Sequence, residues 1–364
     1  MSEEEKLKAI RARIDALDEQ IQALISERAA AAQDVARVKL SNDRNAVFYR
    51  PEREAAILHR VIKHNRGPMS DQTMALLFRE IMSACLALEQ PLKVAFLGPE
   101  GTFTQAAAFK HFGHAVRTQP LGSIDEVFRT VERGLAQYGV VPIENSTEGV
   151  INHTLDMFLG SPLRICGEVE LRIHHCVMST GEDVDDITRV YSHHQSLAQC
   201  RDWLDRNLPG ADRLEVSSNA EAARLAGGMK DKAVAAVAGE AAAEIYGLRV
   251  LARNIEDQPD NTTRFLVVGK QPVPPTGQDK STLMISAPNR SGALYRLLEP
   301  FAGCGISLTR IESRPSRRET WEYVFFVDLE GHVDDEPVVQ ALAALETAGA
   351  MVKVLGSYPR AIVR

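Results

Sequence analysis

Three cations near the start of the chain sit where cations are costly. Arg11, Ile14, Asp18, Ile21, Ile25, Arg28, Ala32, Val35 and Lys39 step alternately by three and four positions, so Arg11, Arg28 and Lys39 share one helical seam with apolar residues. A charge in such a seam is costly unless something anionic meets it. Long basic side chains also snorkel past apolar stripes, and for any one of the three that account is sufficient. Their spacing argues for more. At about 1.5 Å of rise per residue, Lys39 lies roughly 16 Å from Arg28 and roughly 42 Å from Arg11. A small anion held by Arg28 and Lys39 is therefore out of reach of Arg11 in the same helix, but an antiparallel helix from a second chain brings another Arg11 to it.

Four polar clusters further along flank β-type runs. Gly98-Pro99-Glu100-Gly101-Thr102 follows a strand and opens a helix, where backbone N–H groups cradle anions. Glu144-Asn145-Ser146-Thr147 follows Val140-Val141-Pro142-Ile143; Ser192-His193-His194-Gln195 and Asp260-Asn261-Thr262-Thr263-Arg264-Phe265 flank strands in the same way. Strand ends of α/β sheets are where ligands bind. Each cluster alone reads equally as a set of helix caps. Four together point to a site.

The elements that must position these residues fall into three segments, because 364 residues exceed what one core serves. Residues 5–40 lack Gly and Pro and read as one helix; Arg50-Pro51 opens a second that Gly67-Pro68 ends, and Asp71 begins a third reaching Leu88. The first helix, roughly 50 Å long, overshoots a 90-residue globule roughly 26 Å across, which independently predicts an interlocked dimer. From Lys93 to Val268 strands and helices alternate as in an α/β domain. Gln271-Pro272-Val273-Pro274-Pro275-Thr276-Gly277 reads as a semi-rigid linker. The remainder runs βαββαβ, the order of a ferredoxin-like sandwich. The expected domains are 1–92, 93–270 and 280–364, with 271–279 joining the last two.

Composition narrows the class of function. With 45% hydrophobic and 25% charged residues and no membrane-length apolar run, the chain reads as a soluble globular protein, and the acidic start Ser2-Glu3-Glu4-Glu5 is unlike a secretory signal. Cys85, Cys166, Cys176, Cys200 and Cys304 are odd in number and scattered, as expected of reduced thiols in the cytoplasm. The pairs His174-His175 and His193-His194 point to opposite faces of a strand, so no metal site is expected. A net charge of −7 without a basic face argues against nucleic acid.

Residues 5 to 90 resemble the small all-helical chorismate mutases, through Leu7 to Ile14, Ala16-Leu17-Asp18-Glu19, Ser26-Glu27-Arg28, Val38-Lys39, Arg53-Glu54 and Leu86-Ala87-Leu88-Glu89. The resemblance implies that Arg28 and a second chain's Arg11 hold the substrate carboxylates, that Lys39 and Glu89 bond the ether oxygen, and that Glu54 holds the ring hydroxyl. It also places Arg53 and Cys85 at the substrate. Such a rearrangement needs no cofactor, only a folded substrate and stabilisation of developing charge. Some relatives have an amide at the Glu89 position. A carboxyl donates to the ether oxygen only when protonated, so the pH dependence here should differ.

Residues 93 to 270 resemble the prephenate dehydratases, through Gly98-Pro99-Glu100-Gly101-Thr102, Glu144-Asn145-Ser146, Tyr191-Ser192-His193 with Gln195 and Cys200, and Thr263-Arg264-Phe265. The resemblance implies two lobes like those of periplasmic binding proteins, with a cleft between them. Thr102, Glu144, Asn145, Ser146, Thr147, Ser192, His193, Gln195, Thr263, Arg264 and Phe265 are its expected substrate residues. Thr263 is the first choice for assisting departure of the ring hydroxyl. A threonine is a poor acid alone, so Arg264 or another polar neighbour should support it.

The last segment resembles ACT regulatory domains at Asn289-Arg290-Ser291-Gly292-Ala293-Leu294 and Glu312-Ser313-Arg314-Pro315. The resemblance implies that these residues bind L-phenylalanine where two such domains pair. Together the three resemblances identify a bifunctional enzyme with chorismate and prephenate as substrates, and at least a homodimer. Two rivals carry different expectations. A non-catalytic amino-acid sensor has little use for Arg28, Lys39 and Glu54 in a separate helical pocket, and a nicotinamide-dependent dehydrogenase calls for a G-x-G-x-x-G fingerprint that the chain lacks.

Overall fold

The computed structural model describes residues 2–43, 47–147, 149–286, 290–315 and 323–361. Helices α1 (Glu3–Asn42), α2 (Pro51–His64) and α3 (Asp71–Glu89) form the N-terminal segment. Ser2 and Glu5 close a capping box at the start of α1, and Glu3, Glu4 and Glu5 complement its dipole. Both α1 and α2 pack on α3. Among the described residues of one chain, most of α1 has nothing to pack against. Ala36 is its buried residue, whereas Ile10, Ile14, Ile21 and Leu24 are 51–64% exposed.

The middle segment has two lobes. The first comprises β1 (Lys93–Leu97), α4 (Phe103–Phe112), β2 (Arg117–Leu121), α5 (Ile124–Glu132), β3 (Tyr138–Asn145), β4 (Gly149–Val150), α6 (Asn152–Phe158) and β5 (Arg164–Arg172). The second comprises β6 (Cys176–Ser179), β7 (Arg189–Ser192), α7 (His194–Gln199), α8 (Arg201–Asn207), β8 (Asp212–Glu215), α9 (Asn219–Met229), β9 (Val234–Ala238), α10 (Ala241–Tyr246) and β10 (Arg249–Ala252). Strand β11 (Thr262–Gly269) returns to the first sheet, whose order is β2-β1-β3-β11-β5 with β4 beside β3; the second sheet runs β10-β6-β9-β7-β8. The chain thus crosses between lobes twice, after β5 and before β11. The C-terminal segment, β12 (Asp279–Ser286), α11 (Ala293–Gly303), β13 (Leu308–Pro315), β14 (Tyr323–Glu330), α12 (Glu336–Thr347) and β15 (Met351–Pro359), has the expected βαββαβ order and a sheet β13-β14-β12-β15.

The three segments share cores. On one face of the first sheet, Phe96, Ala108, Phe112, Val140 and Phe265 pack with Tyr49 of the N-terminal segment. On the other, Phe128, Phe158 and Leu266 pack with Met284, Phe326, Leu355 and Tyr358 of the C-terminal one. At Gly356 the backbones of β15 and β5 touch: a Cβ there would lie 2.2 Å from the Ile165 carbonyl oxygen. The linker is anchored at one residue. Val273 is buried in the first of these cores, and its carbonyl accepts a 2.9 Å bond from His332 Nε2.

Candidate active sites

A cavity of about 350 Å³ opens among α1, α2 and α3, lined by Arg28, Lys39, Arg53, Glu54, Cys85 and Glu89 together with Tyr49 and Phe112. Helical periodicity does this: Arg28 and Lys39 are three turns apart on one face of α1, and Cys85 and Glu89 are one turn apart on α3. Arg11 is exposed and lies outside the cavity, roughly 25 Å from Arg28 along α1. Lys39 Nζ donates to Val47 O at 3.2 Å and sits 5.4 Å from the centre of the Phe48 ring. Burial raises the pKa of Glu89 against the lowering pull of Lys39 and Arg28. Burial likewise raises that of Glu54, opposed by Arg79, whose Nε donates to Glu54 Oε1 at 3.1 Å, and by a bond from Tyr49.

A second cavity, about 440 Å³, lies between the lobes and is lined by Asn145, His193, Gln195 and Thr263. Thr147 N–H donates to Asn145 Oδ1 at 3.0 Å, fixing the amide so that Nδ2 donates to Thr263 Oγ1 and to Asn261 Oδ1, both at 2.8 Å. Asn261 Nδ2 donates to Gln199 Oε1 at 3.1 Å, and His175 Nε2 meets the same oxygen at 3.0 Å. This chain spans both lobes. An amide oxygen only accepts, so Nε2 carries the His175 proton and Nδ1 is left as an acceptor, buried and without a partner among the described residues. Burial lowers the pKa of His175 and keeps the ring neutral near pH 7. The Thr263 oxygen accepts from Asn145, so the hydroxyl retains a proton that it can donate.

Several expected cleft residues lie elsewhere. Arg264 is the principal correction. Neighbours on a strand point to opposite faces, so with Thr263 in the cleft Arg264 turns to the C-terminal segment. There it bonds Glu168 at 2.9 Å, Asp328 at 2.5 Å and the Tyr358 hydroxyl at 3.0 Å. Asn145 is the neighbour that supports Thr263. Glu144 likewise faces away from the cleft and pairs with Arg310 of β13 at 3.1 Å. Phe265 is buried in the core against α4. Ser192 is buried, donating to Val237 O and Asn219 Oδ1, and Thr102 caps α4. Ser146 accepts from Thr262 N–H beside the cleft. The expected substrate residues do not include His175, Gln199 and Asn219, which also line the cleft, nor Asn261, although it belongs to the same polar cluster as Thr263 and stands two positions before it, on the same face of an extended run.

In the C-terminal segment Gly292, at positive φ, precedes Ala293 and Leu294 at the start of α11, where Ser291 O accepts from Arg296. Asn289 lies outside the described residues. Glu312, Ser313, Arg314 and Pro315 lie on the edge strand β13. Arg314 is paired across to α6: its Nη2 bonds both Asp156 carboxylate oxygens, at 3.0 and 3.1 Å. Among the described residues no three His, Cys, Asp or Glu side chains group as metal ligands, and no helix is long and apolar enough to cross a membrane.

A cation-lined helical cavity, a two-lobed cleft with a hydroxyl and amide chain, and a βαββαβ segment together define a multidomain enzyme acting on small anions. Residues 10–90 match the model of chorismate mutase type II, 94–273 that of prephenate dehydratase and 281–347 that of the ACT domain. The bifunctional chorismate mutase/prephenate dehydratase of Stutzerimonas stutzeri is 57% identical over 100% of both chains, and that of Pseudomonas aeruginosa 56% over 100% of both. Prephenate dehydratase from Arthrobacter aurescens, solved in complex with L-Phe, superposes with a TM-score of 0.68 at 38% identity, covering 75% of this chain and 91% of that one. The chain belongs to the bifunctional chorismate mutase/prephenate dehydratase family.

Proposed function

We propose that the chain rearranges chorismate to prephenate in the helical cavity and converts prephenate to phenylpyruvate in the cleft, with loss of water and carbon dioxide, under feedback inhibition by L-phenylalanine. What carries the reading is that one chain of this family holds both a cavity with Arg28, Lys39, Glu54 and Glu89 and the chain Thr263-Asn145-Asn261-Gln199-His175 in a separate cleft. Two arginines suit two carboxylates, each by a forked pair of bonds, and Lys39 and Glu89 meet the ether oxygen as the C–O bond breaks. Arg28 holds one carboxylate and Arg11 of a second copy the other, since Arg11 of the same chain lies roughly 25 Å away along α1, so the working unit is at least a dimer. In the cleft Thr263 donates to the departing ring hydroxyl and Asn145 holds it there. The corresponding domains are 1–92, 93–270 and 280–364, joined by 271–279. The four buried free thiols Cys85, Cys166, Cys176 and Cys200 favour a reducing cytoplasmic setting. The test is product analysis from chorismate with and without L-phenylalanine. Phenylpyruvate that declines with the amino acid supports the reading, and chorismate left unconsumed refutes it.

A further inference from the structure

The mutase cavity is not built by the helical segment alone. Phe112, the last residue of α4, lines it beside Tyr49 and Glu54, although α4 belongs to the first sheet lobe and its first residue, Phe103, lines the cleft. The end of a helix leaves carbonyls without helical partners. One of these, Lys110 O, accepts a 2.9 Å bond from Arg79 Nη1. The same guanidinium holds Glu54 from behind through Nε. Arg79, on α3, is 9% exposed and does not line the cavity, so it is placed to act on the carboxylate that does. Beside it the Tyr49 hydroxyl meets His111 Nε2, also on α4, at 3.1 Å; burial pushes that imidazole down to about 3, so it stays neutral near pH 7. The junction is laced further by Glu80, which accepts from His114 N at 3.0 Å, and by Ser83, which accepts from Ala115 N at 3.3 Å.

We propose that Arg79 is a positioning residue for the mutase reaction: anchored on the Lys110 carbonyl at the end of α4, it holds the Glu54 carboxylate in the cavity, so that the dehydratase lobe completes the mutase site. A guanidinium suits the task because its donors lie in one rigid plane and reach two acceptors at a fixed angle, which a single ammonium does not. The proposal rests on the reading of Glu54 as the group that binds the substrate ring hydroxyl. A loosely held acceptor binds the reactive, folded substrate less well than one fixed in place.

The test is mutase kinetics in the full chain for Arg79→Met, Arg79→Lys, Glu54→Gln and the double variant Arg79→Met/Glu54→Gln, with a cooperative melt reporting folding. Arg79→Met should lower kcat/KM by roughly tenfold to a hundredfold, the range that misplacement of a binding group produces. Arg79→Lys, which keeps one of the two bonds, should lose less. On the Glu54→Gln background Arg79→Met should cost little more, because the arginine acts through that carboxylate. An equal cost on both backgrounds, or no cost in the single variant, overturns the proposal. A Glu54→Gln protein with unchanged mutase activity instead overturns the reading of Glu54, and the role of Arg79 falls with it. If Arg79→Met does not fold, Arg79→Lys with and without Glu54→Gln gives the same comparison.

Discussion

At Glu89 two effects oppose each other, and their balance sets a pH profile. Burial raises its pKa more than Lys39 and Arg28 lower it. A carboxyl donates to an ether oxygen only while protonated, so mutase activity should fall as pH rises through that pKa. Glu89→Gln, a donor at every pH, should flatten the alkaline limb. Rates at saturating chorismate across pH for both proteins decide this, and an unchanged limb in the Gln variant removes Glu89 as the donor. Glu54 has the opposite requirement. As an acceptor it must be ionised, so its raised pKa sets an acid limb on which activity is lost as pH falls. In the cleft, Asn145→Ala removes the bond that orients Thr263. Dehydratase kcat should drop on the order of a hundredfold, the scale of one positioned proton donor, and Asn145→Ala/Thr263→Ala should be no slower than Thr263→Ala. Full additivity in that double variant means that the two residues act separately. The division of labour between Thr263 and Arg264 was open to sequence reasoning, because adjacent strand residues cannot both face one cleft. Gln199 and His175 were not, since only the folding of the second lobe brings Gln199 of α7 against His175, ahead of β6.

Among the elements, α1 carries the most legible signal and the most incomplete packing. Its Gly- and Pro-free run and apolar stripe define a helix of 40 residues, and two of the charges interrupting the stripe, Arg28 and Lys39, line the helical cavity. The same stripe, exposed along most of its length in one chain, has the length and composition to bury itself against a second α1. If the two helices run antiparallel, Arg11→Ala and Lys39→Ala should each abolish mutase activity, while mixing the two proteins under subunit exchange should restore part of it. One site of each heterodimer then receives Arg11 from one chain and Lys39 from the other, both intact. Absence of recovery, with exchange demonstrated by a mass-tagged subunit, refutes the two-chain site. The placement of α4 between the two cavities was not legible. Ten residues with a cap at one end read as an ordinary lobe helix, and nothing local says that Phe103 and Phe112 border different cavities. The anchoring of the linker was illegible for a related reason: its prolines predict stiffness, and the burial of Val273 is decided by the core it lands on.

On the scale of the whole molecule, the first sheet is the common floor of all three segments, with Tyr49 packed on one face and Tyr358 on the other. The contact with the C-terminal segment is ionic as well as apolar. Arg264 is 12% exposed, its partners Glu168 and Asp328 are 2% exposed, and Lys280 Nζ lies 2.7 Å from Glu168. Arg310 on Glu144 and Arg314 on Asp156 extend the contact along β13. Such buried pairs add little stability over well-packed apolar residues, but removing one member strands the others. Arg264→Met leaves two buried carboxylates, Glu168 with Lys280 and Asp328 with the Thr282 hydroxyl, and should destabilise the chain by about 3–5 kcal/mol. The first thermal transition should fall on the order of 10 °C. Thr263→Ala, one residue away, should leave that transition within a few degrees while sharply lowering dehydratase turnover, since it removes a hydroxyl that lines the cleft and no ionic contact. The pair separates two accounts of this motif. If Arg264 binds substrate, Arg264→Met raises the KM for prephenate and melts like the unaltered protein; if it joins the segments, the melting temperature drops and the KM of the protein that remains folded is close to unchanged.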